Sequence, residues 1–124
     1  MLWMDNASIT ANVMQLLTEE LKKQIPALYS QENSTDPIVI CKFFDPTGSW
    51  TWYVIEGEEK EYDYGKDFLF FGYVVGFEAE FGYFTLNQLL TAKQGLKGMQ
   101  AVPIERDLYF TPDKLSKVIE KHNK

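Results

Sequence analysis

One cysteine, Cys41, and one histidine, His122, are all that this 124-residue chain offers of the two side chains most used by metals and nucleophilic catalysis. A single Cys excludes an intrachain disulfide and fits folding in a reducing compartment. The two residues lie far apart in sequence and no pair has ligand spacing, so no zinc site is expected. A Cys41–His122 nucleophilic pair would need an accessible thiolate in electropositive surroundings. The simpler account, preferred here, makes Cys41 a small buried hydrophobe on a strand and His122 a solvent-facing helix end.

Positive charge is also short. Twelve Lys and Arg stand against 18 Asp and Glu, a formal charge of −6. A phosphate-backbone binder needs the opposite surplus to displace counterions, so nucleic acid is not an expected partner. A partner with a basic patch stays open. No apolar run reaches the roughly 18 residues of a membrane span, and the N-terminus lacks a basic region followed by an apolar one, so a soluble chain without a signal peptide is expected. No complete catalytic motif, internal repeat or domain boundary is visible. Residues 1–15 read as an N-terminal extension and 16–122 as a single domain.

What the chain has in plenty is aromatic bulk: nine Phe, seven Tyr and three Trp. Such residues let a small domain bury a large area, and any surplus at the surface becomes contact area for a partner. They concentrate in Phe68–Phe84. Its odd positions are apolar throughout (Leu69, Phe71, Tyr73, Val75, Phe77, Ala79, Phe81, Tyr83), and its even positions mix Phe, Val, Gly and Glu. The period of two predicts a central antiparallel pair with the odd face toward the core, folding back near Glu78-Ala79-Glu80.

The remaining elements follow in order. Ile9, Val13, Leu16, Leu17, Leu21 and Ile25 form a helical stripe. It is capped at Ser8, or at Thr18 for a shorter helix, and ended by Pro26. Ile38–Phe44 and Trp50–Glu56 make a hairpin around the turn Asp45-Pro46-Thr47-Gly48. Residues 56–67 hold six acids against two lysines and read as a polar excursion between hairpins. That excursion is either simply solvated or an acidic tongue, with Tyr62 and Tyr64, for a basic surface. Thr85 and Gln88 form a capping box for a helix running to Gly95 or Gly98. Residues 103–110 read as a last strand, and Thr111-Pro112 as the start of a closing helix. The sum is an α+β domain: an antiparallel sheet of about five strands with about three helices, packed largely on one face.

Three constellations compete for function. Glu78 with Glu80, and Glu105 with Asp107, are carboxylate pairs of the kind that perform acid–base catalysis, provided two of them converge in a concave pocket. Trp50 and Trp52 point the same way from one strand, as core if that side is covered and as a recognition platform if it is not. The acids Glu58, Glu59 and Glu61, with Tyr62, Tyr64, Glu78 and Glu80, complete a protein-binding surface.

Several segments together resemble a family of uncharacterised single-domain proteins of bacterial plasmids and other mobile elements. They are Leu17-Thr18-Glu19-Glu20-Leu21, Pro26-Ala27-Leu28-Tyr29, Lys42-Phe43-Phe44, Trp50-Thr51-Trp52-Tyr53, Phe71–Glu78, Gly82-Tyr83-Phe84 and Pro103–Asp107. The resemblance spans roughly residues 16 to 115 and implies a fold but no reaction. Within it, size and the acidic segment are similar to a small Legionella effector that antagonises effectors deamidating ubiquitin. That likeness implies a non-catalytic protein inhibitor without cofactor. It would bind an enzyme of the ubiquitin deamidase or transglutaminase type, in the bacterial cytoplasm or after translocation into the host cytosol. A homodimer through an edge strand or the N-terminal helix is compatible with the sequence. The rival readings are a mobile-element accessory protein, acting as nucleic-acid mimic or adaptor, and a carboxylate-based enzyme.

Overall fold

The computed structural model describes residues 15–48, 50–94 and 102–124. The stripe before Gln15, the cap at Ser8 and the glycines Gly95 and Gly98 lie outside them. A five-stranded antiparallel sheet forms the centre. Its strands are β2 (Cys41–Phe44), β3 (Thr51–Tyr62), β4 (Gly65–Val75), β5 (Ala79–Thr85) and β8 (Glu105–Arg106), in the spatial order β5-β4-β3-β2-β8. Two small pairs flank it: β1 (Ile38–Val39) with β9 (Asp113–Lys114), and β6 (Lys93–Gln94) with β7 (Val102–Pro103). Three helices are described: α1 (Glu19–Gln24), α2 (Leu86–Thr91) and α3 (Leu115–His122). The chain is a single α+β domain.

Local signals place several elements as expected. Thr18 caps α1, its hydroxyl accepting from Leu21 N at 3.1 Å. Thr85 and Gln88 form the reciprocal capping box of α2, with bonds of 3.1 and 2.9 Å. The turn after β2 closes with Gly48 N on Asp45 O at 2.8 Å, and Gly48 takes the left-handed φ of +90° that a side chain resists.

The sheet overturns the expected face assignment. Consecutive strand residues point to opposite faces, and it is the even side of β4 and β5 that is buried. Phe68, Phe70 and Phe84 join Cys41, Phe43 and Val54 beneath Leu16, Ile25, Leu89 and Ile104. The odd side meets a smaller cluster, where Tyr53, Ile55 and Val39 pack under Leu115 and Val118 of α3, with Phe71, Tyr73 and Val75 at its margin. Helices therefore cover both faces rather than one. Both sides of the segment are apolar enough to be a core, and alternation alone cannot rank two apolar faces.

Four further expectations give way. Residues 56–67 are not an excursion: β3 and β4 continue as a ladder to Tyr62 opposite Gly65. Paired backbone and packed Phe68 outweigh the low strand propensity of the acids. The last strand shortens to Glu105–Arg106, because the chain turns back at Asp107, whose carboxylate accepts from Tyr109 N at 2.9 Å. Helix α3 begins at Leu115 and not at Pro112, since Asp113–Lys114 pair with β1. Its first turn is held from afar, Asp36 accepting from Ser116 N at 2.8 Å and Ser116 Oγ at 2.6 Å. Helix α2 likewise stops at Thr91, before either glycine.

Candidate functional site: an aromatic cleft at the sheet edge

Helix α3 has 8 residues, hence about 12 Å of length and roughly 10 Å of width, and it cannot cover five strands spaced ~4.8 Å apart. The odd face of β4 and β5 stays open as a result. Across it, Phe71 lies opposite Tyr83 and Tyr73 opposite Phe81. Phe71 stacks on Phe81 with centroids 5.9 Å apart and approaches Tyr83 at 5.0 Å, and Tyr73 meets Phe81 edge-on at 5.4 Å. Phe81 and Tyr83 are each 52% exposed. Rings stacked on one another yet half open to water form a contiguous apolar patch, the kind that marks interaction sites.

The far wall of this cleft is built by a device the sequence hid. The β3–β4 register shifts between Val54 and Glu56, a bulge that turns both Ile55 and Glu56 toward the same side. Glu56 is buried, and its two oxygens accept from Tyr29 N and Gln31 N at 2.7 Å each. Glu58 Oε1 accepts from Leu28 N at 3.1 Å, and Gly57 N donates to Pro26 O at 2.9 Å. These bonds strap residues 26–31 across the sheet and hold Tyr29 at a left-handed φ of 71° beside Tyr83. The Tyr83 phenol is raised above its ordinary value, first by its hydrogen bond with Tyr29, then by burial and by the nearby carboxylates Glu56 and Glu32. The cleft has a volume of about 470 Å³.

The residues singled out from sequence fall in separate places. Glu59 and Glu61 are exposed on β3. Glu58 is committed to the strap, and also pairs with Lys60 at 3.2 Å, the hydrogen bond from Lys60 leading the causes that lower its pKa. Tyr62 and Tyr64 stack at 5.4 Å at the hairpin end, and the Tyr64 hydroxyl donates to buried Asp67. Trp50 and Trp52 do share a side, stacked at 6.1 Å. Trp52 packs against the larger core, whereas Trp50 lies over Gly76 and meets Phe77 edge-on at 5.9 Å. Glu78 and Glu80 are exposed beside Phe77, which is 97% exposed. The two acidic groups sit toward opposite ends of the 11-residue strand β4, about 20 to 25 Å apart along it, so they do not form one patch. The period-two pattern places Phe71, Phe81 and Tyr83 in the core and gives Tyr29 no role.

A second, more polar recess of about 400 Å³ lies where α3 ends over β2 and β3. There the Tyr53 hydroxyl and His122 Nδ1 are 2.6 Å apart, and Lys42 pairs with Asp107 at 3.7 Å. Burial pushes the Tyr53 phenol up to about 12, with Asp107 adding to it. Burial, then Lys42, lowers His122. With a neutral imidazole, the tautomer sets whether the phenol donates to Nδ1 or Nδ1–H donates to the phenol oxygen. His122 is the exposed helix end that the sequence suggests, and its ring is also tied to Tyr53, in keeping with its helical spacing from Leu115 and Val118. Cys41 belongs to the other face of the sheet, and burial raises its thiol to about 12. Such a thiol stays protonated at neutral pH and is a poor nucleophile. Asp107 lines the polar recess, but Glu78, Glu80 and Glu105 do not.

Fold and cleft together define a small α+β domain whose most distinctive surface is an open aromatic sheet edge. The chain belongs to the DUF2958 family, proteins of unknown function, whose match covers residues 12–124. Comparison with curated proteins and with solved structures returned no match.

Proposed function

We propose that this protein is a non-catalytic binding domain that blocks an enzyme of the ubiquitin deamidase or transglutaminase type by occupying its surface. The observation that supports a docking role is the aromatic face in which half-exposed Phe81 and Tyr83 of the outer strand β5 pack on Phe71 of β4. Aromatic anchors on a rigid ladder supply large contact area at little cost in side-chain entropy, the usual basis of interface hot spots. Occlusion needs complementarity and no nucleophile. The class of the blocked enzyme and action in a host cytosol come from the likeness to the small Legionella effector, and an origin on bacterial mobile elements from the resemblance to the wider family. The acids of β3 would steer a partner with a basic surface.

The test is deamidation of ubiquitin by a purified effector deamidase at rising ratios of this protein. Loss of activity saturating near one-to-one, and released by Phe81→Ala with Tyr83→Ala, is the expected result. Full activity at every ratio, with no co-purification, would return the polar recess at Tyr53 and His122 to consideration as an active site.

A further inference from the structure

The aromatic cleft carries an electrostatic asymmetry. Its walls are Phe71, Phe81, Tyr29 and Tyr83, and the charged groups lining it are the carboxylates Glu32 and Glu56. Among the described residues no lysine, arginine or histidine lines it, and neither carboxylate stands in an ion pair. Glu56 is only 3% exposed, so its charge is held by two backbone N–H groups without a cation. A buried carboxylate satisfied by neutral donors retains acceptor capacity and a negative potential. Four aromatic rings line it as well, and a ring face presented to a cation attracts it through its quadrupole.

We infer that this cleft receives the side chain of an arginine carried on an extended segment of the protein partner. The inference rests on the docking role proposed above and gives it a chemical identity. A guanidinium is flat enough to stack on Phe71 and Phe81, sheds water more readily than an ammonium, and offers a fork of donors to Glu32 and Glu56. Among the described residues, strand β5 is the outer strand of the sheet, with β4 as its sole neighbour there. A partner segment laid along it would gain backbone hydrogen bonds while dropping alternate side chains onto the odd face. Charge complementarity selects the arginine: an acidic side chain would meet like charge, and a neutral one would leave both carboxylates without a counter-charge.

The probe is a blocked Gly-Arg-Gly tripeptide, compared by amide NMR titration with its citrulline counterpart, which keeps the shape and loses the charge. Shifts should saturate at Tyr29, Gln31, Phe71, Phe81 and Tyr83, with the arginine peptide bound at least about tenfold more tightly. Glu32→Gln and Tyr83→Leu, both at exposed positions, should each cost about threefold or more by the same principle. Equal binding of the two peptides, or shifts confined to other surfaces, overturns the inference. The deamidase titration fails separately: inhibition released by Phe81→Ala without any arginine preference keeps the docking face and discards the arginine. An arginine preference in a protein that inhibits nothing keeps the cation site and discards the blocked enzyme.

Discussion

Glu56 does at residue scale what a cap does for a helix: it satisfies backbone donors that the strap at residues 28–31 would otherwise bury unpaired. Glu56→Gln turns one acceptor into a donor facing an N–H group, and should destabilise the fold by about 2 kcal/mol. Glu59→Gln, on an exposed side chain, should stay within ~0.5 kcal/mol. Denaturant midpoints of the two variants check both. Asp67 makes a complementary prediction about pH. Burial alone would raise its pKa. The hydrogen bonds from Tyr64, Phe68 N, Asn87 N and Thr85 outweigh burial and hold it below the ordinary 3.8. A lowered carboxylate contributes stability that is complete above its unfolded value and fades as pH falls through the folded one. Asp67→Asn should therefore be the less stable protein at pH 7, and should converge on the parent as pH drops below that ordinary value. Thermal unfolding across pH reads this directly.

Among the elements, the β3–β4–β5 ladder holds two glycines that face each other in register, Gly72 and Gly82. They are not equivalent. A Cβ on Gly72 would sit 2.0 Å from the Tyr53 carbonyl oxygen, a backbone atom that cannot step aside. A Cβ on Gly82 would meet nothing within 4 Å. Gly72→Ala should cost about 3 kcal/mol or more through overpacking, and Gly82→Ala should be neutral or slightly stabilising; urea denaturation of the pair decides it. Helix α3 depends on a remote cap in the same way. Its N-cap residue Lys114 makes no side-chain capping bond, and Asp36 supplies one from 80 positions away. Asp36→Ala should fray the first turn, seen as faster amide exchange at Ser116, Lys117 and Val118 with the sheet unaffected.

For the whole molecule, the separation of the exposed acids of β3 from the aromatic cleft would give the two surfaces different kinetic roles in the docking proposed above. The exposed acids Glu59 and Glu61 lie toward the tip of the β3–β4 hairpin, away from the rings of the cleft. Rim charges act mainly on association rate and salt dependence, and buried anchors on dissociation. Reversing Glu59 and Glu61 to Lys should slow association with a basic partner and flatten its dependence on ionic strength. Removing Phe81 and Tyr83 should accelerate dissociation. Glu58 is a poor choice for the same experiment, because its bond to Leu28 N couples it to the strap. Surface plasmon resonance at two salt concentrations distinguishes the two effects. No helix among the described residues is long and apolar enough to cross a membrane.

The sequence by itself determined what depends on neighbours a few positions apart. The caps at Thr18 and Thr85, the turn at Asp45–Gly48 and the fold-back near Glu78 all rest on such short-range hydrogen bonds and backbone preferences. The α+β class followed from their order. Only the tertiary structure decided which side of Phe68–Phe84 became core, because both sides are apolar and a helix too short to cover the odd face left it open. It also decided that Glu56 is buried and that Tyr29 meets Tyr83, since both depend on a one-residue bulge and on contacts 25 to 27 positions apart. A bulge reverses the parity on which strand reading relies, and no local pattern of side chains announces it.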